Sequence, residues 1–352
     1  MHDIPVFDSD GHVDEDPVAI AAHLTSEYRN PARRTGARVF PSPDGWSRGV
    51  LVNRGDPERR YRHTSAEILG EILATVGLQG SVLYPTEGLA VGLMQDAAHA
   101  AAVCRAYNDW LEAEYTTRDP RLFGVGLMPV QDRAAAVAEL SRCRTRKGFV
   151  AMLLPSVLGR PSTYGDVEYW PIYEAAEREH MPLAVHGGPA NFAGMPAFDD
   201  FAKVHTLSHP LPLLTHVTDI VMSGVFDAFP GLRIAFLEAG CGWAPYWMDR
   251  MDHEYGTLNG LALRKRLRHR PSHYFRETDN VWFSFELEEH TLRAVIDVVG
   301  SDRLLYASDY GHESRLDAIV QELAEFIDRP DLAKDTKEKL LGGNGRRLYG
   351  LG

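Results

Sequence analysis

Leu304-Leu305-Tyr306-Ala307-Ser308-Asp309-Tyr310 is a short apolar run that ends in a carboxylate. Such a run, bounded by polar residues, reads as a fully buried strand. A carboxylate at its C-terminal end, just before the turn-like Tyr310-Gly311-His312, is costly to bury unless it is paired or holds a metal. Two other stretches end the same way. Val6-Phe7-Asp8-Ser9-Asp10-Gly11-His12 sets Asp10 and His12 on one face of a strand, because side chains repeat every second residue. Leu183-Ala184-Val185-His186-Gly187-Gly188 ends a buried strand in a histidine. Polar ligands at the C-terminal tips of separate buried strands are what a (β/α) barrel with a metal at its catalytic face requires.

Working outward, strand-like and helix-like segments alternate along nearly the whole chain. Further strands are expected at 81–85, 123–129, 149–155, 233–240 and 281–286, which with the three above makes eight. Helices are expected at 65–78, 93–117, 133–146, 168–180, 213–229 and 288–299, with two more at about 313–328 and 331–349, while 243–258 is amphipathic and aromatic. Ser65 and Asp132 stand where N-caps belong, and Pro230-Gly231 marks a helix stop. Residues 17–64 read as an irregular insertion and 189–211 as a loop. The pattern predicts an α/β chain of the (β/α)8 TIM-type, one domain over 1–352, with inserted loops at the C-terminal face of the strands. Neither Gly187-Gly188 nor Gly342-Gly343 has the spacing of a dinucleotide-binding loop, which argues against a doubly wound nucleotide binder.

Composition excludes several partner classes. A formal net charge of −12 is opposite to the basic stripe of a nucleic-acid binder. No apolar run reaches the length of a membrane span. Cys104, Cys143 and Cys241 lie far apart with no CxxC, which suits a reducing compartment. The first strand begins by Pro5-Val6, leaving no room for a signal peptide. A cytoplasmic enzyme acting on a small molecule is the expectation, with no nucleic acid and no membrane as partner.

The chain resembles the amidohydrolase-related metalloenzymes, the group that includes aminocarboxymuconate semialdehyde decarboxylase-like proteins. The resemblance is carried by residues 8–12, 185–188, 224–233, 236–243, 307–310 and 343–350, and covers nearly the whole chain. It implies that Asp10, His12, His186 and Asp309 bind a divalent metal. It also implies a possible homodimer, since dimers are common among relatives. Mixed imidazole and carboxylate donors suit Zn, Fe or Mn. Glu238, with His209 or His216, would supply donors for a second ion.

Two departures bear on activity. Family decarboxylases usually carry His or Glu at the first position of the N-terminal pair, where this chain has Asp10, and a histidine after the sixth strand, where it has Glu238. A glutamate cannot act as a neutral imidazole donor, but it can bind a metal or take a proton from water. The expectation is therefore a hydrolase that cleaves an ester, thioester or amide of a small organic acid through metal-activated water. Asp309, Glu238 and His312 would be its catalytic residues. Non-oxidative decarboxylation of an aromatic or enoic acid is the alternative, and a barrel that binds ligand without catalysis a second one. Glu286, Arg160 and Arg346 are further candidates for the site, and Trp243, Tyr246 and Trp247 for a pocket wall or a core.

Overall fold

Eight strands, all parallel and hydrogen-bonded in chain order, form the centre of the molecule: β1 Val6–His12, β2 Leu78–Tyr84, β3 Leu122–Leu127, β4 Phe149–Pro155, β5 Leu183–His186, β6 Ile234–Leu237, β7 Val281–Phe285 and β8 Leu304–Tyr306. The computed structural model describes residues 3–29, 39–41, 65–188, 198, 201–311 and 316–352. The strands are buried nearly end to end, as parallel strands covered on both faces by packing must be. Each fully buried Val, Leu, Ile or Phe contributes roughly 1.5–3 kcal/mol by leaving water. Those short apolar runs between polar turns are thus the main source of stability. The barrel closes between β8 and β1, where Asp309 N–H donates to the Asp10 carbonyl (2.9 Å) and His12 N–H to the Tyr310 carbonyl (2.8 Å).

Helices separate the strands and stop where local chemistry stops them. Ala66–Val76 starts at Ser65, whose hydroxyl accepts from Ile68 N–H, and ends at Gly77 with φ of 85°. Arg133–Arg144 starts at Asp132, whose carboxylate accepts from Ala134 and Ala135 N–H. The helix expected over 213–229 is two helices, Pro210–Met222 and Val225–Ala228, because Gly224 turns left-handed between them at φ of 78°.

The loop expected at 189–211 is helical over Phe201–Ser208, and a second helix begins at Pro210. The Pro210-Leu211-Pro212 run masked this start. Proline at a first helical position loses no hydrogen bond, since that N–H has no partner in a helix anyway. His209 therefore stands at a junction of two helices. The expected irregular segment 17–64 opens with a helix, Pro17–His23, capped by Asp16. Residues 30–38 and 42–64 of that segment lie outside the described residues, as does His312. No described helix is long and apolar enough to cross a membrane.

Candidate metal centre

Strand ends place the polar groups. β1 ends at His12, β5 ends at His186, Glu238 follows the last residue of β6, and Asp309 lies just beyond β8. Parallel order turns all of these tips to the same end of the barrel. β1 carries a one-residue bulge: Asp8 pairs with Ser81 but Gly11 pairs with Leu83, so three steps on β1 match two on β2. Gly11 is required there, because a Cβ would come within 2.5 Å of Ser81 Oγ and 2.8 Å of Asp8 Oδ2.

Asp10, His12 and His186 are buried, and their donor atoms lie close together, as do those of His12, Glu238 and Asp309. The two groups meet at His12. His186 Nε2 lies 3.2 Å from Asp10 Oδ1; His12 Nε2 lies 3.7 Å from Asp10 Oδ1 and 3.4 Å from Asp309 Oδ1. The other ring nitrogens are committed to main chain. His12 Nδ1 donates to the Pro85 carbonyl at 3.0 Å, and His186 Nδ1 to the Gly187 carbonyl at 2.7 Å. A carbonyl only accepts, so each Nδ1 carries a hydrogen and each Nε2 is left to face the carboxylates. Imidazoles held this way beside buried carboxylates form a donor set that fits a divalent metal ion.

Electrostatics agrees. Burial, reinforced by the Glu238 and Asp309 charges, outweighs the His186 contact and pushes the Asp10 carboxyl up to about 7. Burial alone would lower His186, but Asp10 and Glu238 raise it to about 9. Two groups that each hold a proton near neutrality form a cluster with more negative charge than the fold can solvate, and a cation relieves it.

Two of these residues sit in strained backbone. Glu238 has φ of 63° and Asp309 φ of 49°, the left-handed region that side chains other than glycine rarely enter. Such strain persists only where the surroundings over-determine it, and it gathers at functional sites.

A cavity of about 510 Å³ opens onto the cluster. Asp10, Asp309 and Glu238 form its floor, while Leu287, Ile319 and Ala239 give it apolar walls. Glu286 stands on the same wall. Withdrawal from bulk water, together with Glu288, Glu289, Asp309 and Glu238, pushes its carboxyl up to about 7. His209 also lines the cavity, with Nε2 3.1 Å from Glu238 Oε2 and Nδ1 near Ser208 Oγ and the His205 carbonyl. With the ring protonated, the two would form an ion pair across the cavity wall.

Other expected residues are engaged elsewhere. His216 donates from Nε2 to the Ser156 carbonyl and packs on Tyr164, and burial lowers it to about 4. Arg160 pairs with Glu168. Arg346 bonds Gln79 Oε1 near the start of β2 and covers the Phe7 ring, at the far end of the barrel from the tips. Trp243 packs on Phe275 and Phe283 in the core, while Tyr246 is exposed. Two groups carried no sequence signal beyond their types. Asp8 is buried beneath Asp10, and Glu15 accepts from the N–H groups of Thr86, Glu87 and Gly88 after β2.

Comparison with known proteins sets this site in context. A gamma-resorcylate decarboxylase of Rhizobium radiobacter is 27% identical over 310 residues, 84% of this chain and 91% of that protein. A 2-amino-3-carboxymuconate-6-semialdehyde decarboxylase of Dictyostelium discoideum is 23% identical over 306 residues, 86% of this chain and 79% of that protein. The fold matches a dihydroxybenzoic acid decarboxylase from Polaromonas sp., solved with bound manganese and the inhibitor 2-nitroresorcinol. The TM-score is 0.75 at 20% identity, covering 99% of this chain and 97% of that one.

These relatives overturn the expectation of an ester, thioester or amide hydrolase. That expectation rested on Glu238 in place of a histidine after β6. In three dimensions His209, from a different segment, brings an imidazole to within 3.1 Å of Glu238. The model of the amidohydrolase family matches residues 81–351. A match over so much of the sequence, on a barrel of this topology, makes the chain a member of the amidohydrolase family.

Proposed function

We propose that this protein is a metal-dependent, non-oxidative decarboxylase of a hydroxylated aromatic acid. The observation that carries the reading is the similarity to decarboxylases over 84–86% of the chain. The geometry supports it: buried Asp10, His12 and His186, with half-buried Asp309, cluster at a cavity with apolar walls. These four residues are the ligands in this reading. A divalent metal held by them would supply positive charge beside the substrate's carboxylate.

The chain's own residues do the rest. His12 and His186, fixed by the Pro85 and Gly187 carbonyls, keep the ligand geometry rigid. Leu287, Ile319 and Ala239 pack against the ring and exclude water from its face. Glu238 and His209 hold a proton at the cavity wall and deliver it to the ring carbon that bears the carboxylate. A C–H bond forms there, the bond to the carboxyl carbon breaks, and its electron pair returns to the ring as carbon dioxide leaves. Glu286 faces the same space and accepts a hydrogen bond from a ring hydroxyl.

The test is direct. The protein is stripped of metal, reloaded with Mn²⁺ and given 2,6-dihydroxybenzoate and a panel of other hydroxybenzoates. Carbon dioxide and a phenol with one carboxyl fewer are expected. Absence of carbon dioxide across the panel, from protein that holds its metal, refutes the reading.

A further inference from the structure

Asp8 is buried to 1% exposure directly beneath the proposed ligands, and all its acceptor positions are filled. Oδ1 accepts from Ser308 N–H at 3.0 Å and Asp10 N–H at 3.2 Å. Oδ2 accepts from Ser81 Oγ at 2.6 Å and Ser308 Oγ at 2.8 Å. One carboxylate thus ties β1 to both neighbours, to β2 through Ser81 and to the segment after β8 through Ser308. It does so at the β8–β1 closure, just where the main chains of Asp10 and Asp309 meet.

The groups it holds matter more than their number. Asp10 N–H belongs to one ligand, and Ser308 immediately precedes the other. Ser308 Oγ also accepts from Tyr310 N–H at 3.1 Å, so it brackets Asp309 from both sides. Between these fixed points Asp309 is forced to φ of 49°, which aims its carboxylate at His12 Nε2, 3.4 Å away. Gly11 leaves the space that the Asp8–Ser81 bond occupies.

We propose that Asp8 is a positioning residue of the metal centre: through Ser308 and the Asp10 amide it sets the spacing of the Asp10 and Asp309 carboxylates. The inference rests on the proposed metal site and predicts its affinity. Carboxylates that orient metal ligands typically account for 10–100-fold in affinity. A carboxylate that served only to close the barrel would alter unfolding and leave the affinity of folded protein unchanged.

Mn²⁺ titration of the full-length, metal-free protein, followed by electron paramagnetic resonance, separates the two. Asp8→Ala is expected to weaken Mn²⁺ binding 10–100-fold and to change the spectrum of the bound ion. Asp8→Asn is expected to recover most of the affinity, because its carbonyl still accepts both amides and the two serine hydroxyls can accept from its NH₂. Ser308→Ala, which removes a single hydroxyl, is expected to weaken binding several-fold, and it decides the matter should Asp8→Ala not fold. Affinities of Asp8→Ala and Ser308→Ala within twofold of the parent overturn the proposal, whatever their melting temperatures. A parent chain that takes up no Mn²⁺ refutes the metal reading itself, a different and recognisable outcome.

Discussion

Replacing Glu238 by glutamine keeps the side chain's shape and removes its charge. In the protein, Glu238 Oε2 lies 3.1 Å from His209 Nε2 and 3.3 Å from His186 Nδ1, with the side chain 12% exposed. Two unit charges at 3.1 Å attract by about 5 kcal/mol at an effective dielectric constant of 20. Partial solvation of the cavity reduces what the pair realises to about 3 kcal/mol, a factor of about 100. That agrees with the 10²–10⁴-fold that a positioned proton donor typically supplies. Glu238→Gln is therefore expected to lower kcat for carbon dioxide release about 100-fold, with KM within a few-fold and metal content intact. His209→Gln should do the same. In the proposed mechanism the two act as one proton donor, so the double variant should be hardly slower than either single one. The assay is steady-state carbon dioxide release from Mn²⁺-loaded protein, with metal counted per chain. A kcat within threefold of the parent, or losses that multiply in the double variant, refutes the shared-proton argument. Loss of bound metal from Glu238→Gln would instead make Glu238 a ligand.

Further outcomes follow from the same geometry. Metal must displace protons from His186, held near 9, and Asp10, held near 7, so Mn²⁺ affinity should rise with pH between about 6 and 9; a flat profile in equilibrium dialysis contradicts this. His216 has a folded value of about 4 against 6.5 unfolded, so the unfolded chain binds more protons between these values and stability falls as pH drops through that window. The loss approaches about 3 kcal/mol by pH 4, and His216→Gln, which keeps a donor for the Ser156 carbonyl, should lose that much less in urea titrations at pH 7 and pH 4. Gly11→Ala should destabilise the metal-free protein by about 1–3 kcal/mol, because its Cβ would meet Ser81 Oγ at 2.5 Å; an unchanged urea midpoint argues against that packing.

Much of this was legible in the amino acids alone. Short runs of three to seven residues define the eight strands, and a polar residue at or just past the end of β1, β5, β6 and β8 is a local feature that needs no tertiary knowledge. Asp10, His12, His186 and Asp309 could therefore be picked out, and parallel strands in order oblige their tips to converge. The tertiary structure alone decided the partners of these groups. Glu238 reads in sequence as a residue where a histidine should be, yet His209 comes within 3.1 Å of it from a helix junction hidden by Pro210 and Pro212. Asp8 reads as one more acidic residue of the first strand, yet its carboxylate is filled by Ser81 and Ser308, residues 73 and 300 positions away. Periodicity and burial are written along the chain, since they depend on neighbours one to four residues apart. A hydrogen bond across a barrel depends on the register of two strands and the bulge between them, and that is set only when the whole core packs.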